Sequence, residues 1–257
     1  MVANLNNHNQ VHDRSIPIPN KPDNPNPKWV RFPTGLHRLK IGAASYLWVQ
    51  LTTGLPTSTP KPTASPPRII RAMTVDPAKL RVRIYPDKML RRKAEPIDLT
   101  SNVLEVAERM VELMYESEGI GLAAPQVGLP WRMFVADVPP CEEDQTESEL
   151  PTTTKGPVVY INPELTDPAR NIEPFEEGCL SLPDIRGDVI RPTEITIEAT
   201  DHEGKRVTHK AAGLLARCWQ HEIDHLDGIL IIDRMTQASR AMVDSQIRML
   251  ERRSSPR

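Results

Sequence analysis

The sequence predicts an α+β fold: antiparallel strands packed around a central helix, with one helix on the N-terminal side and another at the C-terminal end. Three observations carry this. A helix-period run comes first, alternating runs joined by turn residues follow it, and two more helix-period runs close the chain. That order suits helices and strands segregated along the chain and argues against a doubly wound sheet.

Residues 81–85 alternate basic and apolar side chains, as a half-exposed or edge strand does. Val103, Val106, Ala107, Met110, Val111, Leu113 and Met114 recur at helical spacing, and Asn102 with Glu105 resembles a capping box. A helix is therefore expected over 102–117, with Gly119 as its C-cap. Residues 132–138 and 157–162 read as strands, separated by an acidic, Thr- and Pro-containing stretch, 139–156, expected as a surface loop. Ile195, Ile197 and Ala199 alternate with polar residues, and Gly204 sits in a turn before residues 206–209, which together make a hairpin. Helices are expected over 210–226 and 236–252, and no internal repeat is visible.

Composition limits the function classes. The 257 residues suffice for one domain with a substantial core, or two small ones. A formal net charge of −2 and only 4% aromatic residues argue against a protein built to bind nucleic acid or a lipid surface. Three cysteines, an odd number, cannot form a fully paired disulfide framework, which favours a reducing compartment and another use for a thiol.

The averages hide two compositions that meet just before Met73. Residues 1–72 hold 11 of the 26 prolines and carry a net charge of +7, whereas the remainder carries −9. Seven asparagines among the first 26 residues leave little periodic apolar surface to offset the entropy of ordering, so 1–72 is expected to be a disordered leader. The apolar run 41–51 is about half the roughly 20 residues that a membrane crossing requires. It also begins too late for a secretory signal and has no small-x-small cleavage site after it. The Arg-containing, acid-poor composition fits an organellar transit segment better, and Met73 is a candidate start for a catalytic domain over 73–257.

The chemistry lies in the helix expected over 210–226. Ala211, Leu214 and Cys218 set up an apolar stripe that His221, Glu222 and His225 continue, so polar groups stand where core residues should. Two imidazoles and a carboxylate facing a core are costly without compensation. Histidines at i and i+4 can converge on one cation, and the intervening glutamate can reach a water bound to it. The rival reading is a pair of satisfied structural histidines.

A third ligand is needed. No histidine follows His225, and Glu251 lies in Arg-rich sequence near the chain end, a poor place for a rigid ligand. Cys179, within EGCLS at 177–181, is the better candidate, because Gly178 permits close backbone approach and a cation would hold the thiol as thiolate. Taken alone, Cys179 also reads as a small buried hydrophobe, as Cys218 and Cys141 do. The segment GIGLAAPQ at 119–126 is small and apolar enough for a substrate backbone to lie close, and Gln126 supplies an amide donor where an oxyanion could form.

Together GIGLAAPQ, EGCLS and HEIDHLDG (221–228) resemble the peptide deformylases, over roughly residues 80–250. The resemblance implies Cys179, His221 and His225 as metal ligands, Glu222 as catalytic acid/base, and Gln126 with the Leu180 backbone N–H as oxyanion stabilisers. It further implies that Ile120, Gly121, Leu214 and Cys218 line the site for the methionine side chain and peptide backbone. The implied reaction is hydrolysis of the N-formyl group from the initiator methionine of nascent peptides, with one divalent ion per chain. Fe(II) is the implied metal, and Zn(II), Ni(II) or Co(II) suit the same ligands. Implied partners are formyl-Met nascent chains and a transient ribosome contact, with no membrane and no specific nucleic-acid sequence. The setting is cytoplasmic and bacterial, or organellar if 1–72 is a transit segment. Departures from the family pattern are the leader, the acidic insertion near 140–155, and Trp219 in place of a smaller aliphatic residue. The alternatives are an HExxH zinc endopeptidase and a non-catalytic binding module near the ribosome.

Overall fold

The computed structural model describes residues 74–144 and 146–253; the expected leader 1–72 lies outside the described residues. Helix α1, Ser101–Glu116, matches the expected span, but its cap differs. Thr100 is the N-cap, its hydroxyl accepting from the Val103 N–H at 3.3 Å. Asn102 is used elsewhere: its amide accepts from Val75 N at 2.8 Å and donates to Val75 O at 2.9 Å, tying residue 75 to the helix. At the other end the left-handed residue is Glu118, at φ +55°, rather than Gly119. Gly119 packs closely instead, since a Cβ there would stand 2.7 Å from Leu180 Cδ1 and that side chain would have to shift.

Strands β1, Gly121–Ala123, β2, Met133–Ala136, and β3, Val158–Thr166, follow. Next come β4, Ile172–Cys179, and β5, Leu182–Pro192, which form a separate two-stranded ribbon. Strands β6, Glu194–Thr200, and β7, Arg206–Ala212, confirm the expected hairpin and complete an antiparallel sheet of order β1-β2-β3-β6-β7. Helices α2, Gly213–Leu226, α3, Ile231–Arg234, and α4, Gln237–Arg253, close the described chain. Among the described residues no helix is long and apolar enough to cross a membrane.

Two-residue periodicity places the sheet between two helices. Phe134 and Ala136 of β2 enter one core with Tyr160, Ile197 and the α2 residues Leu215 and Trp219. Met133 and Val135 enter another with Val103, Met110 and Met114 of α1. Trp219 is buried edge-on to Tyr160, with ring centroids 5.7 Å apart, so the larger side chain at this position is absorbed by aromatic packing. A third core joins β5 to α3 and α4 through Leu182, Val189, Ile231, Val243 and Ile247.

Two expected boundaries are corrected. Residues 81–85 join no sheet: Arg83 N–H donates to Gln126 O at 2.7 Å and Tyr85 N–H to Ser181 O at 2.9 Å. The segment is extended, but its partners lie in two different loops, so no ladder forms. Residues 210–212 belong to β7, where Lys210, Ala211 and Ala212 pair with Thr196, Ile195 and Glu194. Gly213, at φ +55°, then turns the chain into α2.

Among its described residues the insertion at 139–156 has no strand or helix, as expected, yet it is anchored where β7 runs into α2. Asp144 Oδ2 accepts from Leu214 N–H at 2.7 Å, Thr152 O from Leu215 N at 3.1 Å and Pro151 O from Ala212 N at 3.0 Å. These contacts satisfy N–H groups that the first turn of a helix leaves unpaired.

Candidate metal centre and active site

Cys179, His221 and His225 are brought together from β4 and α2, all three buried, with one potential ligand atom of each within 4.8 Å of the others. Helical spacing sets the imidazoles one turn apart and edge-on, with centroids 4.9 Å apart. Cys179 reaches them from a register irregularity at the end of β4 and places Sγ 3.2 Å from His225 Nε2. His221 turns Nδ1 to Glu177 Oε2 at 3.0 Å, while its buried Nε2 has no hydrogen-bond partner among the described residues. A thiolate and two imidazole nitrogens are a donor set for Zn(II), Fe(II), Co(II) or Ni(II), and a cation would satisfy that orphaned nitrogen. The residues present therefore fit a single divalent ion. Glu251, the distant carboxylate weighed as a ligand, instead accepts from Tyr85 OH at 2.7 Å.

Behind the ligands lies a buried ionic network. Glu177 takes bonds from Arg191 at 2.7 Å and 3.0 Å, from Arg217 at 2.9 Å, and meets His221. Arg191 continues to Asp224 at 2.8 Å, and Arg234 also grips Asp224 at 2.8 Å. Arg217 and Asp224 of α2 are thus buried and ion-paired. Burial alone would push the Glu177 carboxyl up, but Arg191 and His221 outweigh it and hold it well below the ordinary carboxylate range. Burial, with His221 alongside, pushes His225 well below the usual imidazole value, leaving it in the neutral form that a cation needs. Burial pushes the Cys218 thiol up, consistent with an inert packing role.

Glu222 follows His221 on α2 and is fully buried against β1. A Cβ at Gly121 would come within 2.9 Å of both Glu222 Cδ and Cys218 Sγ, so only glycine leaves room for this carboxylate. Cys218 donates to Ile120 O at 3.6 Å, and Ile120, Leu214 and Cys218 belong to one buried core cluster. Gln126 is buried in a 3-10 turn, Ala124–Val127, with Nε2 3.7 Å from Cys179 Sγ. Leu180 follows Cys179 and lines a cleft of about 280 Å³ with Ser117, Leu182 and Arg186. Leu214 and Arg217, with Asp144 of the insertion, border a smaller cavity of about 40 Å³.

Sequence reasoning assigned no role to Glu177, Ser181, Arg191, Arg217 or Asp224. Glu177 and Ser181 carried a signal, as the outer residues of EGCLS. Arg191 carried none, because its partners lie 14 and 33 residues away.

This fold and site define a hydrolase domain with a candidate Cys/His/His metal centre between a strand end and a helix. The family model for polypeptide deformylase matches residues 79–241, and the chain belongs to that family. It is 44% identical over 172 residues to peptide deformylase of Agrobacterium fabrum, covering 66% of this chain and 93% of that protein. Peptide deformylase from Thermotoga maritima is similar at a TM-score of 0.54 and 40% identity, over 61% of this chain and 97% of that one. That from Ehrlichia chaffeensis is similar at a TM-score of 0.61 and 33% identity, over 67% and 97%. These likenesses favour a formyl-removing hydrolase over the endopeptidase alternative.

Proposed function

We propose that this chain hydrolyses the N-formyl group from the initiator methionine of nascent peptides, releasing formate. The observation that carries the reading is the convergence of Cys179, His221 and His225 beside buried Glu222 and Gln126. Cys179, His221 and His225 would hold a divalent cation, which would supply Lewis acidity and lower the pKa of water from 15.7 toward about 7. Glu222 takes the proton of the attacking water and returns one to the departing amine. The Gln126 amide and the Leu180 backbone N–H donate to the oxyanion as the formyl carbon becomes tetrahedral. Gly121 in the edge strand β1, with Ile120, Leu214 and Cys218, receives the methionine and its backbone.

The metal is proposed to be one Fe(II) per chain, with Zn(II), Ni(II) or Co(II) as substitutes, because affinity order does not decide occupancy in cells. The proposed setting is cytoplasmic, or organellar if residues 1–72 direct transit, with a transient ribosome contact and no membrane or sequence-specific nucleic-acid partner. The test is formate release from a short formyl-Met peptide, with Cys179→Ser as control. Turnover lost in the control supports the reading. Cleavage of internal peptide bonds that survives loss of Cys179 would replace it with the endopeptidase.

A further inference from the structure

We propose that the Ser181 hydroxyl positions the Gln126 carboxamide, holding its Nε2 end at the Cys179 side of the site; the inference rests on the deformylase reading. Gln126 and Ser181 are both fully buried. A glutamine has three rotatable bonds and an amide whose two ends are nearly the same shape, so burial alone does not choose which end faces the reacting group. The Ala123 N–H, which can only donate, chooses it here, and the Ser181 hydroxyl holds the chosen end in place. Gln126 Oε1 accepts from the Ala123 N–H at 2.8 Å, and Nε2 donates to Ser181 Oγ at 3.2 Å. Nε2 carries two hydrogens, and with one on Ser181 the other remains for the sulfur of Cys179, 3.7 Å away, or for an oxyanion formed beside it. A flipped amide would set donor against donor at Ala123 and oxygen against sulfur at Cys179.

The backbone makes this arrangement rigid. Ser181 O accepts from Tyr85 N–H at 2.9 Å, and Gln126 O from Arg83 N–H at 2.7 Å. The turn bearing Gln126 and the turn after Cys179 are therefore fastened to the same short segment, two residues apart. With both main chains held, the hydroxyl-to-amide bond sets the side chain rather than merely following it. Ser181 is a positioning residue, acting through Gln126.

The test is a double-mutant cycle on the metal-loaded full chain, using Ser181→Ala, Gln126→Ala and the pair, with formate release, metal content and Tm measured for each. Ser181→Ala alone is expected to lower kcat about tenfold with KM little changed, less than the loss of the donor itself. Added to Gln126→Ala, it is expected to lower kcat less than about twofold further, because the group it positions is gone. Equal losses in both backgrounds, or no loss in the single variant, would overturn the proposal. A parent chain that releases no formate sinks the deformylase reading and this inference with it. Additive losses in an active parent sink this inference alone.

Discussion

His221 Nδ1 lies 3.0 Å from Glu177 Oε2, and that carboxylate is itself held by Arg191 and Arg217. The contact fixes which nitrogen of His221 faces Cys179 and which is turned away, so the donor set is oriented before any cation arrives. Glu177→Gln is expected to weaken divalent-metal affinity about 10- to 100-fold, with turnover recovered at high metal concentration. Titration against a competing chelator reads this directly, and unchanged affinity would reduce the carboxylate to a packing role.

Glu222→Gln should retain the metal and lose nearly all turnover, since an amide cannot take the proton of the attacking water. Elemental analysis alongside formate release separates the two effects. Loss of metal from this variant would make Glu222 a ligand.

Gln126→Ala should lower turnover by on the order of 10² to 10³, as expected for removal of one oxyanion donor. A rate equal to that of the parent would remove Gln126 from the role.

Gly121→Ala drives a methyl group against the Glu222 carboxylate and Cys218 Sγ. Displacing the catalytic carboxylate is expected to cost on the order of 10² in kcat with metal content preserved. Full activity would show that β1 or α2 yields easily at this contact.

Asp144→Ala removes the side chain that accepts from Leu214 N–H at the start of α2. A lost cap costs about 1 kcal/mol, or roughly 2–4 °C in Tm for a domain of this size. Calorimetry of the two proteins would detect it, and identical melting would show that Pro151 and Thr152 suffice as anchors.

The fold class and most elements were legible because their periodicity reports burial directly. α1, the β6–β7 hairpin and α4 fall within a few residues of expectation for that reason. The β4–β5 ribbon escaped because its inward positions mix apolar Leu182 and Val189 with Glu177 and Arg191, which point into the ionic network, and with Gly187, which lies against Ser239 and Met235. A pattern that assigns polar residues to the surface misreads a strand whose interior face supports a metal site. At the site, the ligands could be read from helical spacing and motif. The groups that hold them could not, because the ties from Glu177 to Arg191 and from Ser181 to Gln126 are set by tertiary approach alone.

The short extended segment after Leu80 is tied to the two active-site turns by main-chain bonds at Arg83 and Tyr85, while Asn102 secures Val75 just upstream. Side-chain replacement along this segment therefore leaves those tethers intact, whereas shortening the polypeptide past residue 85 would cut both. Any maturation event that trims this protein has a limit set by catalysis just before Arg83, upstream of the sheet and helices.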